Sequence, residues 1–159
     1  MKNQSRLLSV WLLVLIALLI SPSVFAAFKV GLVLDKGGKD DKSFNAAAFE
    51  GATKAQKELG IELKYVEATD SNAIENLHRS FAKKDFDLII GIGFAQAEAV
   101  GKVAAQSPDK KFAIIDGDVK APNVKSLLFE EHEGSYLVGA LAALKSSGKK
   151  VGFIGGMDI

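Results

Sequence analysis

From Phe28 onward, short apolar runs alternate with stretches of helical periodicity, and this alternation narrows the fold more than any other property of the chain. Strands are expected at Phe28–Leu34, Ile61–Glu67, Leu88–Ile92, Phe112–Asp116, Lys125–Phe129 and Lys150–Ile154. Most are continuous apolar runs, the pattern of parallel strands covered on both faces. Between them, helix one over 43–59 aligns Phe44, Ala48, Ala52, Ala55 and Leu59 along one stripe, and Gly60 stands at the C′ position. The second helix, over 73–84, places Ile74, Leu77, His78 and Phe81 at helical spacing, and Asn72 with Glu75 offers a capping box. A third spans 95–106, just before Pro108. The fourth, over 133–147, is apolar around most of its circumference, which predicts a well-buried helix ended by Gly148. Such βα alternation predicts an α/β fold built on a doubly wound parallel sheet.

The amino terminus reads differently. Lys2 and Arg6 form a basic start, Leu7 to Ile20 an uninterrupted apolar run, and Val24-Phe25-Ala26 a small-residue cleavage site. That is the layout of a secretory signal peptide over residues 1–26. The run is shorter than the roughly 20 residues a spanning helix needs. The chain holds no cysteine, so neither disulfides nor lipid attachment at a mature amino-terminal cysteine is expected. An exported, periplasmic protein follows. Cleavage would leave 133 residues, with 18 basic against 19 acidic side chains. So even a balance excludes nucleic acid and anionic membrane as expected partners. Without disulfides, stability must come from a hydrophobic core, which one domain of this length can bury.

The first strand hands over to helix one through Asp35-Lys36-Gly37-Gly38-Lys39-Asp40-Asp41-Lys42-Ser43-Phe44-Asn45. In open α/β sheets ligands bind outside the carboxyl ends of the strands, where this turn lies. An aromatic ring beside an amide and a carboxylate suits a flat heterocycle with a polar edge. A structural reading competes: Phe44 also begins the apolar stripe of helix one, and Asp40 or Asp41 would serve as an N-cap. For the whole turn, with Asp35 at the strand end and Asn45 beside the ring, the site reading is favoured.

Two further strand ends face the same edge. Asp116-Gly117-Asp118 reads by itself as a turn. In the strand order 2-1-3-4-5, however, one strand separates Asp35 from Asp116, a gap on the order of 10 Å. That is too wide for a shared proton and suits a ring-sized ligand held from both sides. The third strand ends in Gly91-Ile92-Gly93-Phe94-Ala95, whose glycines permit close backbone approach. Gln96 occupies the place of the third glycine in a dinucleotide fingerprint, so that motif is absent. His78 reads as a core histidine and His132 as a polar loop residue. Neither has metal-ligand spacing. There is no G-x-S-x-G elbow and no thiol nucleophile.

The segments Val33-Leu34-Asp35, Asp41-Lys42-Ser43-Phe44-Asn45, Gly91-Ile92-Gly93-Phe94 and Phe129-Glu130-Glu131-His132-Glu133-Gly134-Ser135-Tyr136-Leu137-Val138-Gly139 together resemble the basic membrane protein family. These are the purine nucleoside receptor A-like substrate-binding proteins of ABC importers. The resemblance runs from about Phe28 to the last residue. It implies the amino-terminal lobe of a type I periplasmic-binding-protein fold, residues 27–159, in which two α/β lobes close on a nucleoside. It also implies that Phe44 stacks on a purine while Asp35, Ser43, Asn45 and Asp116 make polar contacts and Gly93 and Phe94 line the cleft. The partners implied are a purine nucleoside and a membrane ABC permease. No cofactor, no catalysis and a monomer are expected. Many relatives carry a lipid-anchoring cysteine, and this chain departs from them. It also stops about where the first hinge crossing is expected to begin, which reads as a truncated gene product or a fragment. Rival readings are a binding protein for a sugar or other small effector, a metal-dependent hydrolase using Asp35 and Asp116, and a non-binding remnant.

Overall fold

A computed structural model describes residues 26–155. The signal-peptide expectation therefore falls almost wholly outside the described residues. Five parallel strands form one sheet in the order β2-β1-β3-β4-β5: β1 Lys29–Leu34, β2 Glu62–Glu67, β3 Leu88–Ile92, β4 Lys111–Ile115 and β5 Val124–Leu127. Four helices alternate with them: α1 Phe44–Leu59, α2 Ser71–Ala82, α3 Ala97–Gln106 and α4 Glu131–Lys145. This is the doubly wound α/β architecture predicted by the alternation.

Burial explains the arrangement. The interior strand β1 is buried from Val30 to Leu34, and Ile89 and Ile92 of β3 and Phe112 and Ile114 of β4 are likewise covered. On one face α2 and α3 pack over Val33, Ile89 and Ile114 through Phe81, Val100, Val103 and Ala104. Among the described residues the other face has only α1, whose Ala48, Phe49 and Ala52 cover Leu32, Leu34 and Ile92. Phe49 meets Tyr65 of β2 edge-on, with ring centroids 4.8 Å apart, and seats α1 toward that edge. Beside it remains an apolar groove of about 500 Å³, bounded by Phe44, Ala52, Ile90, Ile115 and Phe129. Gly31 is required by contact: a Cβ there would stand 2.8 Å from the Phe81 ring.

Three expectations need correction. No strand forms at Lys150–Ile154; the segment joins no ladder, and a strand without a paired neighbour has no means of satisfying its backbone. The helix expected to be deeply buried, α4, buries no residue at all, and Leu144 is 84% exposed. Its apolar circumference has no substantial packing partner among the described residues, so hydrophobicity there does not translate into burial. It also begins at Glu131, which puts His132 in the helix rather than in the expected loop, and ends at Lys145, ahead of Gly148. Finally, the capping box is displaced. Asp70 caps α2 by accepting bonds from the Asn72 and Ala73 amides at 2.8 and 3.0 Å. Glu75 instead pairs with Arg79 and Lys102. A carboxylate one residue before the helix captures both free amides better than Asn72 inside it.

Candidate functional site

The carboxyl ends of β1, β3 and β4 lie side by side at one edge of the sheet, and the predicted site residues lie in the turns that leave them or, for Phe44 and Asn45, in the first turn of α1. After β1 the chain turns through Gly38–Asp40 before α1 begins at Phe44. Asp41 organises this turn. Its Oδ1 accepts from the amides of Ser43 and Ala46 at 2.8 and 3.0 Å, and its Oδ2 from the Asn45 amide at 3.0 Å. These bonds, that from Ala46 foremost, hold the Asp41 carboxyl at a pKa of about 2. Asp41 thus performs the capping that Ser43, the formal cap residue, does not perform with its side chain. The Ser43 side chain is exposed at the mouth of the turn.

Asn45 is 3% exposed and its amide is heavily engaged. Oδ1 accepts from the Asp35 amide at 2.8 Å, while Nδ2 donates to the Lys36 carbonyl at 3.2 Å and to Asp41 Oδ2 at 3.0 Å. The side chain therefore ties the end of β1 to the start of α1. Asp35 keeps a half-buried carboxylate, of which Oδ1 accepts from the Lys36 amide at 2.8 Å. The other oxygen points at Gly93. A Cβ built on Gly93 would lie 3.3 Å from Asp35 Oδ2 and 3.8 Å from Phe44 Cε1. Gly93 also stands at φ 98°, where a side chain is strained whatever the space. A carboxylate, a 38%-exposed phenyl ring and bare backbone consequently converge on one spot.

Phe94 follows in a single tight turn, Phe94–Gln96, with its ring 46% exposed. Its Cα lies 3.4 Å from the position a Gly117 Cβ would take, which brings the β3 turn against the β4 turn. The Gly93 amide donates to the Ile115 carbonyl at 2.9 Å and fixes that neighbourhood. Asp116 lies just beyond β4 in the left-handed region at φ 59°, and its amide donates to the Leu127 carbonyl at 2.8 Å. Such backbone is uncommon outside glycine and is tolerated best by Asp and Asn. Partial burial, with a hydrogen bond shared with Glu131, raises the Asp116 carboxyl above its ordinary pKa. Glu131 opens α4, so the β4 end and the start of that helix meet at this pair.

Outside this edge, Glu130, His132 and Glu133 bring ligand atoms within 4.8 Å of one another, all fully solvated at the start of α4. An exposed acidic cluster of this kind carries no metal assignment. Two residues escaped the sequence reading. Asp41 was visible only as one of two possible caps. Gln96 figured only as the residue that breaks a glycine pattern, yet it is fully buried beneath the site. No local signal marks a glutamine as structural.

A family model described as "ABC transporter substrate-binding protein PnrA-like" matches residues 28–159. The chain belongs to this family. It is 39% identical over 137 residues to the "CD4+ T-cell-stimulating antigen" of Listeria monocytogenes, covering 82% of this chain and 38% of that protein. To the "ABC transporter nucleoside-binding protein BmpA" of Lactococcus lactis subsp. cremoris it is 33% identical over 143 residues, covering 87% of this chain and 41% of the relative. Among solved structures, the ABC transporter solute-binding protein of Aeropyrum pernix K1 superposes with a TM-score of 0.69 at 35% identity, covering 73% of this chain and 32% of that one. The chain thus spans about two fifths of the length of the curated relatives it matches. Membership accounts for the architecture, which the Aeropyrum pernix protein shares over the matched span. Among the described residues, no helix is long and apolar enough to cross a membrane.

Proposed function

We propose that this chain supplies one wall of a purine-nucleoside cleft in an exported substrate-binding protein that delivers its ligand to a membrane ABC permease. The observation that carries the reading is the convergence of the Phe44 ring, the Asp35 carboxylate and the side-chain-free Gly93 at one strand edge. A purine stacks on the phenyl face, and a carboxylate beside it accepts hydrogen bonds from ligand hydroxyl or N–H groups. Asp116 and Ser43 offer further polar contacts from the flanking turns, with Phe94 closing the far side. Asn45, with both amide donors engaged, acts by holding Asp35 in place. The printed name of the lactococcal relative supports nucleoside as the ligand class.

The proposed first lobe comprises the sheet with α1 to α3, and the chain leaves it near residues 128–130. The support is the packing: α4 buries nothing against the sheet, although its apolar residues would favour doing so. Binding then works by population shift, in which a ligand touching both walls favours the closed arrangement that a permease recognises. This wall by itself is expected to bind nucleosides weakly.

The test is an NMR titration of the purified chain with inosine, guanosine and ribose at millimolar concentration. Inosine and guanosine should shift the signals of Asp35, Phe44, Gly93 and Asp116 in a saturable manner, and ribose should not. In Phe44→Ala the affinity should fall by about 5-fold to 150-fold, since stacking of a base on an aromatic ring is worth ~1–3 kcal/mol. Shifts induced equally by ribose, or undiminished in Phe44→Ala, would refute the reading.

A further inference from the structure

Gln96 is wholly buried directly beneath the exposed Phe94 turn. Its Nε2 donates to the Val33 carbonyl of β1 at 3.1 Å and to the Ile92 carbonyl of β3 at 2.9 Å. Its Oε1 lies 2.7 Å from Nε2 of His78 on α2, itself 0% exposed. The chemistry of the partners settles the proton positions. Both carbonyls can only accept, so the NH2 group of Gln96 must face them, and Oε1 must face the imidazole. His78 then donates from Nε2, and its Nδ1 remains an acceptor, buried without a partner.

The location matters as much as the bonds. Val33 pairs with Gly91 at the last position of the β1–β3 ladder. Beyond that pair the two strands diverge toward Asp35 and Gly93, and the Gln96 amide bridges them where their own hydrogen bonds stop. Gly91 leaves the space for it: a Cβ there would stand 3.1 Å from both Gln96 Oε1 and His78 Cε1. An apolar side chain would fill this volume without the desolvation cost of an amide. What it would not do is fix two strand-end carbonyls at one separation.

We propose that Gln96, oriented by the Nε2–H tautomer of His78, is the positioning residue of the cleft, setting the separation between Asp35 and the Gly93-Phe94 turn. Its meaning for ligand capture rests on the nucleoside reading; the cross-link itself does not. Because His78 lies on the far side of the sheet from Phe44, the amide also connects the site edge to the α2–α3 layer.

Hydrogen exchange followed by NMR on the full chain tests this, comparing the native protein with Gln96→Met and His78→Met. In both variants the Asp35 and Gly93 amides should exchange at least about tenfold faster, while Leu32 and Ile114 in the sheet interior keep their native rates. Nitrogen NMR of the native imidazole should show a single tautomer protonated at Nε2, and Gln96→Met should lose that signature. Inosine affinity should fall in Gln96→Met without a matching loss in Leu32 protection. Unchanged exchange at Asp35 and Gly93, equal acceleration throughout the sheet, or protonation at Nδ1 would overturn the proposal. A native chain that ignores inosine yet shows the site-restricted exchange pattern in both variants would confirm the cross-link and refute the nucleoside reading.

Discussion

Lowering the pH below the ordinary histidine range should destabilise this protein through His78. Burial holds the His78 imidazole at a pKa of about 4, below the ordinary 6.5 that it regains on unfolding; the bond to Gln96 opposes this only partly. The sign follows from proton counting. Between these two values the unfolded chain binds a proton that the folded chain does not, so stability is complete above the unfolded value and falls as the pH drops. The full loss amounts to ~3 kcal/mol, of which ~2 kcal/mol is reached by ~pH 5. That is a large share of the ~5–15 kcal/mol that holds a domain together. Urea unfolding followed by circular dichroism at ~pH 7 and ~pH 5 measures it, with His78→Met as the control that cannot titrate. The native protein should lose ~2 kcal/mol between the two conditions and the variant much less. Equal losses in both proteins would refute the reasoning, as would direct NMR titration of the folded His78 ring near 6.5.

Two further perturbations have defined outcomes. Gly31→Ala should lower stability by ~1–3 kcal/mol in urea unfolding, because its Cβ would stand 2.8 Å from the Phe81 ring in a packed interior. Asp41 contributes stability above the ordinary carboxylate pKa that disappears as the pH falls from about 4 toward 2. In Asp41→Asn that acid-side loss should flatten, and the exchange protection of the Ala46 amide should drop.

The interior strands are legible because buried parallel strands are written as continuous apolar runs: β3 coincides with Leu88–Ile92 and β1 lies within one residue of its expected span, as does the more exposed edge strand β2. The position of His78 could also be read, since a histidine on the stripe of Ile74, Leu77 and Phe81 has nowhere to go but inward. The fate of α4 could not. Apolar residues all round a helix report a demand for cover, not what meets it, and among the described residues nothing substantial packs on α4. The false strand at Lys150–Ile154 has the same origin, for a run such as Val151-Gly152-Phe153-Ile154 becomes a strand only beside another. At the site, Phe44, Asp35 and Gly93 announced themselves through residue type and topology. Asp41, Asn45 and Gln96 are a carboxylate and two amides whose task is internal. Only their distances to particular backbone groups distinguish them from solvated polar residues.

The order of the strands sets a schedule for assembly. The first strand, β1, becomes an interior strand, flanked later by β2 on one side and β3 on the other, so each arriving strand finds an edge already waiting. By the time Leu127, whose carbonyl accepts from the Asp116 amide, has emerged, Asp35, Phe44, Gly93 and Asp116 can all be in place. The proposed half of the cleft can therefore be complete before the helix at Glu131 exists, built by a chain emerging amino terminus first.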